Sequence, residues 1–155
     1  MSGKNNKNVK SSNFSRYSVF IISEKLFGIE LTNVFEVITK PKISKVPGLK
    51  KNVVGVFNLR GTIITLLKIN EIIGLESQES EDNMVLIIQH EQRQLGILVE
   101  KVLDVINVDE TEIQLPKREM SARLANNIIG YYEKEGMGVI NLINLNELLV
   151  SDNFS

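Results

Sequence analysis

The residues with the clearest chemical potential in this sequence stand between two glycines, Gly55 and Gly61. Asn58-Leu59-Arg60 lies between them, and an apolar run over residues 62–67 follows. Glycine reaches positive φ without a steric cost and Asn side chains bond to their own turn, so the spacing predicts a turn between two strands. Two interpretations of Arg60 stay open at this point. It is either a solvated residue of an ordinary hairpin or a charge placed to meet a partner.

The other polar candidates point away from catalysis. His90, the one histidine, stands in a polar stretch that predicts a surface turn. Glu36 and Asp104 each precede an apolar Val-Ile pair, which favours a strand-end or partner-facing role over a catalytic pair. With no cysteine and no calcium-loop spacing of carboxylates, the sequence predicts no metal site. No nucleophile elbow, phosphate loop or dinucleotide fingerprint is present, so we expect no enzyme and no cofactor.

Length and composition are those of an ordinary globular protein. The 155 residues fit one domain or two small subdomains, with 43% hydrophobic and 24% charged residues. The net charge of −1 gives no long-range field to attract nucleic acid or an anionic membrane. No run of about 18 apolar residues predicts a membrane span. Residues 1–15 lack the apolar core of a signal peptide, so we expect a disordered lead-in on a cytoplasmic protein.

The second half of the chain repeats the first. Residues 95–106 lie over residues 27–38 at a constant shift of 68 residues, with Gly, Ile, Val, an acidic residue, Val and Ile coinciding. β-branched and aromatic residues are dense in both copies, which predicts strands. Three further matches support the duplication: Ser18–Ile22 with Met84–Ile88, Gly55 and Gly61 with Gly130 and Gly136, and Ile69–Ile73 with Leu145–Leu149.

Each copy is too short to be stable alone, because a unit of this size buries only about 60% of its extended surface. We therefore predict a mainly β fold of two small barrels or curled sheets that share a core, with a groove between them where partners bind. The expected division of the single domain, 16–155, is subdomain 1 over about 17–75 plus the C-terminal segment and subdomain 2 over about 83–140. The turn at Arg60 becomes Glu133-Lys134-Glu135 in the second copy, so the two turns serve different ends.

Nucleic-acid binding is an alternative because small β barrels often perform it. That function needs a basic groove with stacking aromatic residues. This sequence has no Trp, and most of its three Tyr and six Phe lie in apolar strands. The lysines of Pro41–Lys51 form one basic patch, which is typical of a solvated loop. We therefore do not expect a nucleic-acid partner.

The segment Gly-Val-Phe-Asn-Leu-Arg-Gly at 55–61, with the apolar strand after it, resembles the signature of the CheW family of chemotaxis coupling proteins. The resemblance implies two SH3-like five-stranded β barrels around a shared core, with short helices, and a non-enzymatic adaptor. The sequence departs from the family pattern at Thr65, where Pro is usual, and at Lys68, where Asp is usual. The resemblance extends from Tyr17 to Val150 and includes Phe27–Leu31, Val34–Ile38, Val46-Pro47 and Leu95–Glu100.

The resemblance also implies partners. Such a scaffold joins the cytoplasmic tips of chemoreceptors to the regulatory domain of the histidine kinase CheA, as a monomer that enters larger signalling arrays. Gly55 would face the kinase. A helical hairpin of the receptor would lie in an apolar groove with a charge fixing its register. The groove would be formed by Val34, Glu36, Val37, Arg60, Val85, Leu95 and Gly96. A coupling protein of another chemosensory pathway, such as surface motility, is the alternative within this class.

Overall fold

Ten β-strands make up most of the part of the chain that the structure describes, residues 13–76, 80 and 82–154 of a computed structural model. The other regular elements of these residues are two short helices, α1 (Ala122–Asn126) and α2 (Leu145–Leu148), and 3-10 turns at Leu31–Asn33, Glu110–Glu112 and Ser151–Phe154. The predicted mainly β class is confirmed. The strands are β1 (Phe14–Ile22), β2 (Lys25–Glu30), β3 (Val34–Thr39), β4 (Val53–Leu59), β5 (Thr62–Leu67), β6 (Met84–His90), β7 (Arg93–Val99), β8 (Lys101–Asp109), β9 (Ile128–Lys134) and β10 (Gly138–Ile143).

The strands form two five-stranded sheets with the same plan. Sheet A has the order β8-β1-β2-β10-β9, and sheet B has the order β3-β6-β7-β5-β4. In each sheet one short parallel pair, β10 with β2 or β5 with β7, stands among antiparallel pairs. The predicted pair of five-stranded subdomains is therefore confirmed.

The division of the chain between the sheets differs from the expected one. Sheet B is built from the continuous stretch 34–99, whereas sheet A takes its strands from 14–30 and 101–143. Each sheet thus combines two strands of one sequence repeat with three strands of the other. The expected subdomains over 17–75 and 83–140 do not correspond to the sheets, because strand pairing across the repeats is decided by long-range contacts that local patterns do not specify.

A pair of backbone hydrogen bonds closes each sheet into a barrel. Ser44, which follows β3, exchanges hydrogen bonds of 2.8 and 2.9 Å with Val56 of β4. Gln114, which follows β8, does the same with Tyr131 of β9 at 2.8 and 2.9 Å. Gly55 precedes Val56 in the first bridge, and Gly130 precedes Tyr131 in the second. Each glycine leaves room for the backbone of the segment that pairs with its strand. A Cβ on Gly55 would lie 2.6 Å from the carbonyl oxygen of Ser44.

Strands buried on both faces explain the long apolar runs of the sequence. In β1, Tyr17 and Val19 point into the interior of sheet A, while Phe20 and Ile22 point toward sheet B. The sheet-to-sheet core includes Phe27 and Ile29 from sheet A and, from sheet B, Leu86, Ile88, Leu95 and Ile97. The predicted shared core is confirmed.

β1 begins earlier than the expected lead-in allows. It starts at Phe14, so residues 14 and 15, which we expected to be disordered, belong to a strand. Phe14 pairs with Asp109 and Arg16 with Asn107 of β8. This pairing partner lies far along the chain and gives no local signal in residues 14–16. The remainder of the predicted lead-in, residues 1–12, lies outside the described residues.

We expect that a chain cut within residues 76–83 does not fold as separate halves. The cut separates β5 from β6. Each half then contains strands of both sheets, but neither half contains all the strands of either sheet. Each half alone should give poorly dispersed amide NMR spectra, and an equimolar mixture should regain the dispersed spectrum of the intact protein. A well-dispersed, monomeric spectrum of either isolated half would contradict the shared-core arrangement.

Candidate functional site

Arg60 lies at the tip of the hairpin between β4 and β5. Arg60 and Gly61 both have positive φ, 50° and 88°, as a two-residue hairpin turn of this kind requires. The side-chain oxygen of Asn58 accepts a 2.8 Å hydrogen bond from the backbone N–H of Gly61. A non-glycine residue at such a φ costs about 1 kcal/mol or more. The sequence-predicted turn is present, and it holds Arg60 in a conformation that glycine would adopt more easily.

The Arg60 guanidinium makes a two-pronged ion pair with Glu36 of β3. Nη1 donates to Oε2 at 3.1 Å, and Nη2 donates to Oε1. β3 and β4 are the two edges of sheet B, so the pair joins the same edges as the Ser44–Val56 bridge. The Arg60 side chain is 64% exposed and that of Glu36 is 28% exposed. The guanidinium is therefore fixed in orientation while one side remains open to solvent.

The ion pair changes the titration of both groups. The hydrogen bond from Arg60 lowers the pKa of Glu36 below its ordinary value, and the same contact raises the pKa of Arg60. Because the pKa of Glu36 is lowered in the folded protein, the contribution of the pair is complete above the ordinary carboxyl pKa. It is lost as the pH falls through the lowered value. The pair is thus intact at neutral pH.

Exposed apolar side chains adjoin this pair along the chain. Phe35 and Val37, the neighbours of Glu36 in β3, are 53% and 38% exposed. Ile63, on the Arg60 hairpin, is 63% exposed. Large apolar side chains beside an oriented Arg are typical of protein–protein contacts. We call these five residues, Phe35, Glu36, Val37, Arg60 and Ile63, the Arg60 surface.

Sequence reasoning did not single out Phe35 and Ile63. β3 is apolar at four of its six positions although only its alternate residues, such as Val34 and Ile38, face the interior. An edge strand that is apolar on both faces was the signal that could have identified Phe35. Ile63 carried no such signal, because buried Ile64 directly follows it in the same apolar run.

Three residues expected in the groove are buried instead. Val85 is fully buried in the core of sheet B, and Leu95 is 8% exposed. Gly96 lies against them: a Cβ on Gly96 would be 2.9 Å from Val85 Cγ1. The side chains of Val85 and Leu95 therefore do not form an open surface beside Arg60, and these residues position β6 and β7. Val34 is half-buried against the shared core.

Gly55, expected to face the kinase, is also buried. Because Gly55 has no side chain, the backbone of Ile43 and Ser44 can pass close to it. A Cβ on Gly55 would lie 2.5 Å from Ile43 Cγ2. The structure thus gives Gly55 a packing role in barrel closure. Its contact with a kinase stays a prediction.

The remaining polar candidates do not assemble into a reactive centre. Glu36 lies in sheet B and Asp104 lies in sheet A, so the two carboxylates belong to different barrels. His90 ends β6 and pairs with Arg93 rather than lying in the turn itself. Within residues 13–76, 80 and 82–154, no group of three His, Cys, Asp or Glu could hold a metal ion. In the same residues, no helix has the length and apolarity needed to cross a membrane.

The family profile described as CheW-like domain matches residues 16–153. The chain belongs to the CheW family. The chemotaxis protein CheW of Thermotoga maritima is 30% identical over 123 residues, which cover 79% of this chain and 80% of that protein. The Helicobacter pylori protein of the same name is 25% identical over 86% of this chain and 80% of its own length. The family resemblance predicted from the sequence is confirmed.

A solved CheW structure has the same fold. The scaffolding protein CheW of Thermoanaerobacter tengcongensis superposes with a TM-score of 0.77 at 26% identity, over 90% of this chain and 94% of that one. The predicted function, a coupling or scaffold protein of chemotaxis, is confirmed at this level. The CheW family is a scaffold family and is not known for enzymatic activity.

Proposed function

We propose that this protein is a non-enzymatic cytoplasmic adaptor that couples the tips of chemoreceptors to the regulatory domain of the kinase CheA. The observation that carries the proposal is the Arg60–Glu36 ion pair, held across the closure of sheet B and flanked by exposed Phe35 and Val37. This combination suits a helical partner that places apolar side chains on β3 and a carboxylate against Arg60. Val34 and the buried Val85, Leu95 and Gly96 would support that surface from below.

The mechanism is positional. Two barrels that share one continuous core form a body in which a contact on one barrel keeps a defined geometry relative to a contact on the other. A receptor bound at the Arg60 surface and a kinase bound elsewhere are then held in fixed register, so that receptor state biases kinase state. The protein would act as a monomer that becomes part of larger arrays through its partners.

Calorimetric titration into the purified CheA regulatory domain from the same genome tests the proposal. We expect binding on the order of micromolar strength or tighter. A matched titration with a receptor-tip fragment should give a second, independent site. If neither partner binds the folded protein, the coupling role to this kinase and these receptors is wrong.

A second candidate is a coupling protein of a different chemosensory pathway. The observation in its favour is a relative named protein PilI, from Pseudomonas aeruginosa, which is 29% identical over 75% of this chain and 66% of that protein. The two candidates separate in the same titrations. Binding to the kinase and receptors of another pathway, and not to those of flagellar chemotaxis, would favour the second.

A further inference from the structure

The two barrels carry equivalent crevices, one beside each short parallel strand pair. In sheet B the pair Thr65–Leu95 lines a crevice that we call crevice B. In sheet A, Asn141, which pairs with Phe27, lines crevice A beside Leu26 and Lys25. The two crevices include residues at equivalent strand positions. Arg93 of crevice B is the first residue of β7, and Lys25 of crevice A is the first residue of β2, the second strand of each hairpin.

The chain's own C-terminal turn forms one wall of crevice B. Phe154 lines the crevice and packs against the shared core, and about 310 Å³ is open beside the ring. The turn is anchored on both sides. The Asn153 side chain donates to the carbonyl of Leu148 at 2.8 Å, and the Asn52 side chain donates to the carbonyl of Asn153 at 2.7 Å. One wall of crevice B is therefore an aromatic side chain carried on a tight turn.

Crevice A is about twice as large, about 670 Å³, and its lining of described residues contains no aromatic side chain. Its apolar walls include Met120, Leu124 and Met137, with Val139 at the edge. Val139 is 46% exposed. Methionine side chains are flexible and polarisable and make favourable contacts with aromatic rings. The walls of crevice A are therefore suited to an aromatic ring that the chain does not supply.

The charged residues around crevice A indicate whether the side chain bound there would be charged. Glu24 and Glu119 line it together with Lys25 and Lys117, so acidic and basic residues are balanced. Among the described residues that line crevice B, the charged ones, Lys50 and Arg93, are both basic. A balanced rim gives no preference for a charged side chain beside the ring.

We propose that crevice A is a docking pocket for one uncharged aromatic side chain, presented on a tight turn of a partner protein in the way that Phe154 is presented to crevice B. The pocket lies in sheet A, whereas the Arg60 surface lies in sheet B, so the two sites are separate. This proposal does not depend on which partner binds Arg60.

Methionine-methyl NMR on the full-length protein tests the pocket. The probe is the acetylated and amidated peptide Ser-Asp-Asn-Phe-Ser, the sequence of residues 151–155, and the control peptide is the same with Phe154→Ala. We expect the phenylalanine peptide to shift the methyl signals of Met120 and Met137 saturably. Met84, which packs against the shared core, should not move. Equal shifts with both peptides, or none with either, would overturn the proposal.

A matched pair of variants locates the effect. Val139→Glu puts a charge at the edge of crevice A and should weaken peptide binding at least tenfold. Ile129→Glu makes the same change at a similarly exposed residue, 38%, on neighbouring β9, and should bind as the parent does because Ile129 does not line the crevice. Equal affinity of the two variants would reject crevice A. Met120 and Met137 shifts that grow with protein concentration without peptide would assign the pocket to a second copy and reject the partner proposal.

Discussion

Arg60→Glu is expected to weaken binding of a receptor-tip fragment by about 10- to 100-fold, the range for a charge reversed at an interface. The substitution removes the oriented guanidinium and places a carboxylate beside Glu36, so two like charges repel where an ion pair stood. It also repels any carboxylate of the partner. Calorimetric titration measures the loss, and an amide NMR spectrum of the variant checks that the fold is retained.

Two further variants separate the roles of the two residues. Arg60→Lys keeps the charge but loses the two-pronged geometry, and it should cost less affinity than Arg60→Glu. Glu36→Arg combined with Arg60→Glu restores an ion pair of reversed polarity. If that double variant regains full affinity, Arg60 acts only by bracing β3. A folded Arg60→Glu variant that binds the receptor tip like the parent contradicts the assignment altogether.

Gly55→Ala is expected to lower the free energy of unfolding by about 3 kcal/mol, because it forces the barrel closure open. The new Cβ would lie 2.5 Å from Ile43 Cγ2 and 2.6 Å from the Ser44 carbonyl oxygen, distances at which the backbone has to move. Overpacking of this kind costs about 1–3 kcal/mol, and weakening the two Ser44–Val56 hydrogen bonds adds to it. Urea denaturation monitored by circular dichroism measures the change.

The repeat supplies the controls for this experiment. Gly130→Ala should be destabilising to a similar degree, since its Cβ would overlap the Gln114 carbonyl oxygen and lie 2.8 Å from Ile113 Cγ2. Gly136→Ala should cost only about 1 kcal/mol, because φ is 83° but no atom lies within 4 Å of the added Cβ. If all three variants are equally stable, the glycines at the closures are not needed for packing. A kinase-binding defect in Gly55→Ala would then report a direct contact.

Sequence patterns located the repeat but misjudged its register in one strand. The match of Ser18–Ile22 to Met84–Ile88 is two residues out, because Ile22 precedes the first hairpin turn as His90 precedes the equivalent one. The shift is therefore 68 residues here too, as it is between residues 27–38 and 95–106. A slip of two residues leaves every side chain on the same face of a strand, so the hydrophobic pattern fits both registers equally well.

The candidate site shows the same division between local and long-range information. The turn at Arg60 followed from Asn58 and Gly61, which are neighbours in the chain. The partner of Arg60, Glu36, stands on another strand, and nothing local in either segment indicates their contact. Val85 and Gly96 were expected in an open groove, but whether an apolar strand residue faces solvent or core depends on which strands cover it.

By itself the sequence determined the mainly β class, the turn at Arg60, the duplication, the absence of cysteine chemistry and the resemblance to the CheW family, because these depend on residue type and on short spacings. The tertiary structure alone decided three things: the exchange of strands between repeats, the Arg60–Glu36 pair that joins the edges of sheet B, and the position of Phe154 in the wall of crevice B. Each of these rests on contacts between residues far apart in the chain. The free energy of such a contact comes from burying both residues together in the right geometry, and the alternation of apolar and polar residues along one strand does not specify which residues meet.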